Sequence, residues 1–245
     1  MYAMRKLLYT ILSLLAMEGF GQEKSWTGKF EQLDQLLPTP NSYRSSSGAP
    51  GPSYWQQQAD YEIAVSINDE TQVLTGTEKI TYFNHAPESM SYLWLQLDQN
   101  INADKSMTRE TSSSVIRDSV AAKFLATTVG ALDYKGGFTI KSVRDALGNE
   151  LPKVINYTMM RIDLPKPLRQ GEQVVFTVDW SYNINDRMKF SDRGGMEYFP
   201  GDKNYIYTMA QWFPRMCVFD DYEGWQNKQF LGAGEFALTF GNYRV

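Results

Sequence analysis

Apolar and polar side chains alternate along much of the chain, as they do in β-strands that bury one face. The alternation is clearest in residues 173–182, where one side carries Val174, Phe176, Val178, Trp180 and Tyr182. The same pattern, or a short apolar run, predicts strands at residues 61–68, 73–84, 92–97, 138–143, 154–157, 160–164, 173–182, 205–209 and 235–240.

Turn-forming residues separate the predicted strands. Asn68-Asp69-Glu70 lies between the first two and predicts a hairpin. Pro165 and Pro167 are expected to end one strand and to set the turn into the next. Gly76 lies inside a strand, where glycine relieves crowding and indicates a bulge or a close approach of backbone.

Short strands separated by turns, without alternation of strands and helices, predict an all-β, mainly antiparallel fold. We expect a saddle-shaped β-sandwich, and a doubly wound α/β fold is disfavoured. Residues 112–128 begin with serines that could cap a helix and continue into Ala and Leu. They predict a short helical insertion between strands.

The N-terminus has the order of a secretory signal. Arg5 and Lys6 precede an uncharged apolar run at residues 7–17, and Gly19 and Gly21 offer small residues for cleavage. The run is shorter than the roughly 20 residues that span a bilayer. We therefore expect a signal peptide at residues 1–21, export to the periplasm or the exterior, and no stable membrane insertion after cleavage. The alternative is a buried N-terminal helix.

The segment after the signal differs in composition from the rest. Residues 26–37 could form a short helix, and residues 38–53 are rich in Pro, Ser and Gly. We interpret residues 22–53 as an N-terminal segment and linker, and residues 54–245 as the folded domain.

Composition removes several classes of function. The net charge of −4, without a long basic run, makes nucleic acid an improbable partner. Cys217 is the single cysteine, so no internal disulfide and no cysteine-based zinc site can form. His85 is the single histidine, whereas a catalytic zinc site usually takes two or three. His85 could in principle serve a catalytic triad, but a turn residue is the simpler interpretation.

Three carboxylates cluster in one stretch, at Asp220, Asp221 and Glu223. A glycosidase needs two carboxylates across a cleft. Neighbours in a single loop are more typical of a solvated acidic turn, so a free-standing glycosidase is the weakest of the enzymatic hypotheses.

Four segments, taken together, resemble the N-terminal domain of aminopeptidase N-type zinc metallopeptidases, the gluzincin family, in its bacterial branch. They keep the family order along the chain. They are residues 54–67 (YWQQQADYEIAVSI), residues 74–84 (LTGTEKITYFN), residues 164–174 (LPKPLRQGEQV) and Trp212-Phe213-Pro214 followed by Asp220-Asp221.

The resemblance implies a domain that caps one side of an active-site cleft and helps to bind the amino terminus of a peptide substrate. The family's zinc ligands and general base lie in a catalytic domain that would follow residue 245. We therefore expect no cofactor in this chain, zinc in the domain that follows, and no hydrolysis by this chain alone.

The resemblance also points to one substrate-binding residue. Family members contribute a Gln or Glu upstream of the aromatic-Pro step, and Gln211 stands at that place. A structural, hydrogen-bonded glutamine is the competing interpretation. Residues 194–198 (GGMEY) are similar to the family's substrate-binding strand, but they precede Trp212 and carry Tyr198 where the family has Asn. A chance match in a glycine-flanked loop is preferred.

A second hypothesis needs no catalytic domain. The 14% aromatic content could serve an exported β-sandwich module that binds a glycan or a protein. An exposed, coplanar row of Trp94, Trp212 and Trp225 would favour glycan binding, and burial of these rings would oppose it.

Overall fold

A computed structural model describes residues 40–111, 118–122, 125, 129, 134–190, 194–234 and 237–245. Residues from Pro40 to Val245 belong to one compact unit. The predicted signal peptide and the predicted helix at residues 26–37 lie outside the described residues. Within the described part of the chain, no helix is long and apolar enough to cross a membrane.

The described regular structure is dominated by strands. The strands are β1 (Gln58–Asn68), β2 (Val73–Phe83), β3 (Met90–Gln96), β4 (Thr139–Asp145), β5 (Lys153–Asn156), β6 (Met159–Leu168), β7 (Gln173–Asn183), β8 (Gly195–Phe199), β9 (Asn204–Thr208), β10 (Arg215–Met216), β11 (Phe219–Asp220), β12 (Gly224–Trp225) and β13 (Tyr243–Arg244). The helices are α1 (Met107–Thr111), α2 (Arg187–Phe190) and a 3₁₀ turn at Asp98–Asn102.

Two sheets form the body of the molecule. The larger has the strand order β13-β1-β2-β7-β4 and the smaller has the order β10-β3-β6-β5. Pairing is antiparallel within both, except for the short parallel contact of β13 with β1. The predicted all-β, mainly antiparallel fold is confirmed.

A single apolar core lies between the two sheets. The larger sheet contributes the apolar residues of its alternating strands, and among them Ile80 and Phe176 are fully buried. The smaller sheet contributes Leu93, Leu95 and Ile162, also fully buried. Burial of apolar side chains stabilises the sandwich by roughly 1.5–3 kcal/mol for each large residue, and this outweighs the modest strand propensities.

Gly76 makes room for a tryptophan. It lies directly opposite Trp180 in the β2–β7 pair, and Trp180 is fully buried. An ideal Cβ at residue 76 would lie 2.6 Å from Cε2 of the Trp180 indole, which is closer than real Cβ contacts come. Gly76 therefore relieves crowding in the strand, but the group that comes close is an aromatic side chain and not the predicted backbone.

A carboxylic acid, Glu78, lies among the apolar side chains of the core. Glu78 follows Gly76 on the inner face of β2 and is fully buried between its cross-strand partners Ile63 and Val178. Neither of its carboxyl oxygens has a hydrogen bond with any described residue. Removal from water disfavours the charged form, so burial raises the pKa of Glu78 well above its usual range.

The expectation that Pro165 and Pro167 end a strand is wrong, because β6 continues to Leu168. The register between β3 and β6 shifts sharply between Met90 and Tyr92, so several residues of β6 face a short stretch of β3. Prolines lack an N–H group and are tolerated in such irregular positions, where no ladder hydrogen bond is lost.

Other sequence predictions fare differently. The predicted strand at residues 235–240 does not form in the described residues 237–240, where Phe240 makes only an isolated bridge to Gln58. The predicted helix at residues 112–128 lies mostly outside the described residues. Strand β8, which pairs with β9, has no counterpart among the predictions.

The Pro/Ser/Gly-rich segment is attached to the body of the unit. The Arg44 guanidinium donates to both carboxylate oxygens of Asp221, with Nε–Oδ1 and Nε–Oδ2 distances of 2.9 and 2.8 Å. The same guanidinium lies over the ring of Tyr54. The Asp221 side chain is only 5% exposed. We call residues 40–57 the strap, and Arg44 is its clasp.

Candidate functional site

A cavity of about 260 Å³ opens beside the end of β7. The 3₁₀ turn, the chain after β7, the hairpin β8–β9 and the segment that follows β9 surround it. Its lining residues are Gln99, Ile101, Asn102, Tyr182, Ile184, Asn185, Gly194, Gly195, Thr208, Met209, Ala210, Gln211, Phe230 and Gly232. This volume is close to the lower end of small-molecule pockets, which hold roughly 300–1000 Å³.

Gln211, the candidate residue from the sequence, lines this cavity. Its backbone has φ of 51°, in the left-handed region that non-glycine residues rarely adopt. The Gln99 side-chain amide donates to the carbonyl of Ala210 at 2.9 Å and approaches that of Gln211 at 3.4 Å. The side-chain amide of Gln211 itself makes no hydrogen bond with the described residues, so its oxygen can accept from a ligand.

The two glycines of the GGMEY stretch line the same cavity. The Asn185 amide donates to the carbonyl of Gly194 at 2.9 Å, and Met196 N–H donates to the carbonyl of Asn185 at 2.8 Å. Gly195 has φ of 138°, and a Cβ there would lie 2.9 Å from Asn185 Oδ1. Glycine is therefore required at residue 195, where the backbone passes close to Asn185. This packing explains the glycine without any binding role.

Tyr182 forms part of the cavity wall and was not among the sequence candidates. It is only 5% exposed, and its ring packs on Trp180 and against the edge of Phe138. Its hydroxyl makes no hydrogen bond with the described residues. Burial raises the pKa of Tyr182 well above its ordinary value, so the hydroxyl keeps its proton.

The carboxylates near residue 220 have structural partners. Asp220 accepts from the backbone N–H groups of Tyr222 and Glu223 and from the Gln226 amide. Asp221 accepts hydrogen bonds from Arg44 of the strap, and this contact lowers the pKa of the Asp221 carboxyl group. These partners fix the turn and the strap, so the glycosidase hypothesis loses its catalytic pair.

The described donor groups do not fit a zinc site. The His85 ring donates through Nδ1 to the carbonyl of Gln56 at 2.6 Å, and its backbone N–H donates to Gln57. His85 thus holds the strap against the turn after β2. In the described ranges, no group of three or more His, Cys, Asp or Glu side chains could hold a metal ion.

Trp94, Trp212 and Trp225, whose exposure in a coplanar row would have favoured glycan binding, are half-buried. The Trp212 ring lies 6.1 Å from that of Trp180, and the Trp225 ring stacks on Tyr82 at 6.0 Å. Both are packed against the core. They therefore form no exposed coplanar row with Trp94, and the glycan hypothesis loses the observation that favoured it.

Comparison with known proteins gives no sequence-level assignment. No protein-family model matches the chain, and no curated protein gives a significant match. Solved structures similar to the chain include an M1 zinc metallopeptidase from Deinococcus radiodurans and a mutant of it, both at 14% identity, 56% of this chain and a TM-score of 0.32. Another is a two-domain M1 zinc metallopeptidase mutant bound to L-arginine, at 15% identity, 60% of this chain and a TM-score of 0.33.

The extent of these likenesses is limited. The aligned part spans only 23%, 22% and 24% of the three solved chains. A TM-score this low does not establish a shared fold, and the activity of those proteins does not transfer to this chain on that ground.

Proposed function

We propose that this chain is the N-terminal, noncatalytic domain of an exported zinc aminopeptidase-like protein and binds the free amino terminus of a peptide at Gln211. The observation that carries the proposal is the free side-chain amide of Gln211 in a cavity of suitable size. Zinc, in this proposal, belongs to a catalytic domain other than the described unit.

The chemistry of the amide suits an ammonium group. The oxygen of Gln211 is an acceptor, and each N–H of a peptide's amino terminus is a charged donor. A hydrogen bond of this kind is worth about 1.5–3 kcal/mol. The unusual φ of Gln211 adds support, since strained backbone tends to persist where it positions a functional group.

The substrate class in this proposal, a peptide with a free amino terminus, comes from the four segments that resemble aminopeptidase N-type proteins. Residues 54–67 run into β1, residues 74–84 form most of β2, and residues 164–174 link β6 to β7. Trp212-Phe213-Pro214 then follows Gln211 directly. Capping of a catalytic cleft and export both belong to this proposal.

The first experiment measures binding to the whole chain by isothermal titration calorimetry. Leu-Ala-Ala with a free amino terminus is compared with its N-acetylated form. We expect the free peptide to bind and acetylation to weaken binding. Gln211→Met should weaken binding of the free peptide about tenfold to a hundredfold. Gln170→Leu, at a glutamine outside the cavity, is the matched control and should bind as the parent does.

Equal binding of the free and acetylated peptides, or an unchanged affinity in the Gln211 variant, would contradict the proposal. A second assay follows cleavage of leucine p-nitroanilide by the chain, with and without a chelator. No cleavage is expected. Chelator-sensitive cleavage by the chain alone would place catalysis within it and would show the noncatalytic assignment to be wrong.

A further inference from the structure

The cavity at Gln211 has a chemical character beyond amine recognition. None of the described residues that line it is Asp, Glu, Lys, Arg or His. Its polar groups are neutral amides and hydroxyls, such as those of Asn102 and Thr208, and its apolar part includes Ile184 and Met209. A charged group placed inside would lose hydration without gaining an ion-pair partner from the wall, and this is costly.

Described charged residues beside the cavity have partners of their own. Arg187, which donates to the Thr208 hydroxyl at 3.4 Å, is paired with Glu197. Asp98, which precedes Gln99, is paired with Arg215 and is almost fully buried. Asp186, which follows Asn185, accepts from the N–H groups at the start of α2 and is paired with Lys189. These carboxylates therefore offer little compensation to a charge in the cavity.

Tyr182 adds a donor that is fixed and unused. Stacking on Trp180 and the edge contact of Phe138 hold the ring, with centroid separations of 6.2 and 5.3 Å. The Tyr182 hydroxyl makes no hydrogen bond with the described residues, so a ligand acceptor gains a bond from this positioned donor at little ordering cost. The hydroxyl of Tyr82 is buried without a partner among the described residues, and Tyr82 does not line the cavity.

We propose that this cavity binds the first side chain of the peptide, that it selects uncharged hydrogen-bonding side chains such as that of asparagine, and that the Tyr182 hydroxyl donates to them. The inference rests on the proposed function, because the amino terminus at Gln211 places the first side chain beside it. The size of the cavity, about 260 Å³, suits one residue rather than a longer segment.

The test uses three peptides of nearly equal shape, Asn-Ala-Ala, Asp-Ala-Ala and Leu-Ala-Ala, titrated into the whole chain at neutral pH. Asn-Ala-Ala should bind at least about tenfold more tightly than Asp-Ala-Ala, since the carboxylate would be buried unpaired. It should bind about threefold to tenfold more tightly than Leu-Ala-Ala, as one neutral hydrogen bond predicts.

The variant Tyr182→Phe removes the hydroxyl and keeps the ring. It should bind Asn-Ala-Ala and Leu-Ala-Ala equally, while it still discriminates against Asp-Ala-Ala and still requires a free amino terminus. Tyr82→Phe is the matched control, and it should keep the full preference for Asn-Ala-Ala. Thermal unfolding of both variants verifies that the fold is retained.

The outcomes separate the two proposals. If the three peptides bind alike but acetylation abolishes binding, amine recognition stands and side-chain selection is overturned. An unchanged preference in Tyr182→Phe overturns the role of the hydroxyl. If no peptide binds, or acetylation has no effect, the failure is that of the proposed function itself.

Discussion

At the scale of single residues, the sequence indicates where space is needed but not what fills it. Glycine inside an alternating strand is unfavourable unless another group comes close, so Gly76 predicted a close approach. That the group is the Trp180 indole depends on the β2–β7 register, which links residues about a hundred positions apart. Local patterns do not encode such a pairing.

Substitution of Gly76 by alanine should destabilise the protein. The new Cβ would lie within 2.6 Å of the Trp180 ring, in a core where that ring has little freedom to move. Overpacking of this kind costs about 1–3 kcal/mol. Urea unfolding measures it. Gly201→Ala, at a glycine with open space around its Cβ position, is the control and should change the free energy of unfolding little. Equal effects of the two substitutions would contradict the steric explanation.

Tyr182 and Gln211 show the same limit in the candidate site. Gln211 was predicted from its position before the aromatic-Pro step. Tyr182 was predicted only as an inward residue of a strand, which it is. Whether an inward hydroxyl finds a partner is decided by neighbours from other elements. The binding role of Tyr182 therefore had no sequence signal.

At the scale of elements, strands with strong alternation were predicted closely and irregular ones were not. β1, β2 and β7 differ from their predicted bounds by a few residues at most. β8 was missed because Gly194 and Gly195 at its start indicate a loop. β6 was cut short because proline normally ends a strand, and only the register shift opposite Met90 shows why it is tolerated here.

The strap contains none of the named strands or helices, and the ion pair between Arg44 and Asp221 is one of the contacts that join it to the rest of the unit. Arg44→Ala would leave the Asp221 carboxylate, 5% exposed, without its bidentate partner. We expect a loss of roughly 1–3 kcal/mol in unfolding free energy and faster chymotrypsin cleavage after Tyr43 or Tyr54. Lys228→Ala removes a more exposed pair with Glu223 and should have little effect on either measurement. Cleavage at the parent rate would show that the clasp does not hold the strap.

At the scale of the whole molecule, the sandwich buries an acid, Glu78, that weakens it at neutral pH. The folded state raises the pKa of Glu78, so folded protein retains a proton that the unfolded chain releases. The unfolded state therefore binds fewer protons above its own glutamate pKa, near the ordinary value of 4.5. Stability is then lost as pH rises from that value toward the folded pKa, by up to about 1.4 kcal/mol per pH unit.

Two substitutions separate this effect from other titrations. Glu78→Gln should remove the part of the pH-dependent loss that Glu78 causes, and leave the part from Asp98, whose pKa burial also raises. Glu78→Leu should also raise the melting temperature at pH 7, because no polar group is then buried at residue 78. Melting temperatures between pH 4.5 and 8 measure both. Glu62→Gln, on an exposed side chain of the neighbouring strand, should keep the parent's pH dependence. A parent-like slope in Glu78→Gln would assign the effect to another group.

The buried Glu78 also changes the net charge of the folded protein. The formal charge of −4 counts every carboxyl group as ionised. With Glu78 neutral, the folded molecule carries one unit less negative charge than its unfolded chain. The shift of Glu78 by itself moves the isoelectric point of the folded molecule above that of the denatured chain, for which the sequence gives about 5.2. This charge difference contributes to a difference in electrophoretic mobility between the folded and the unfolded protein, without any change in covalent structure.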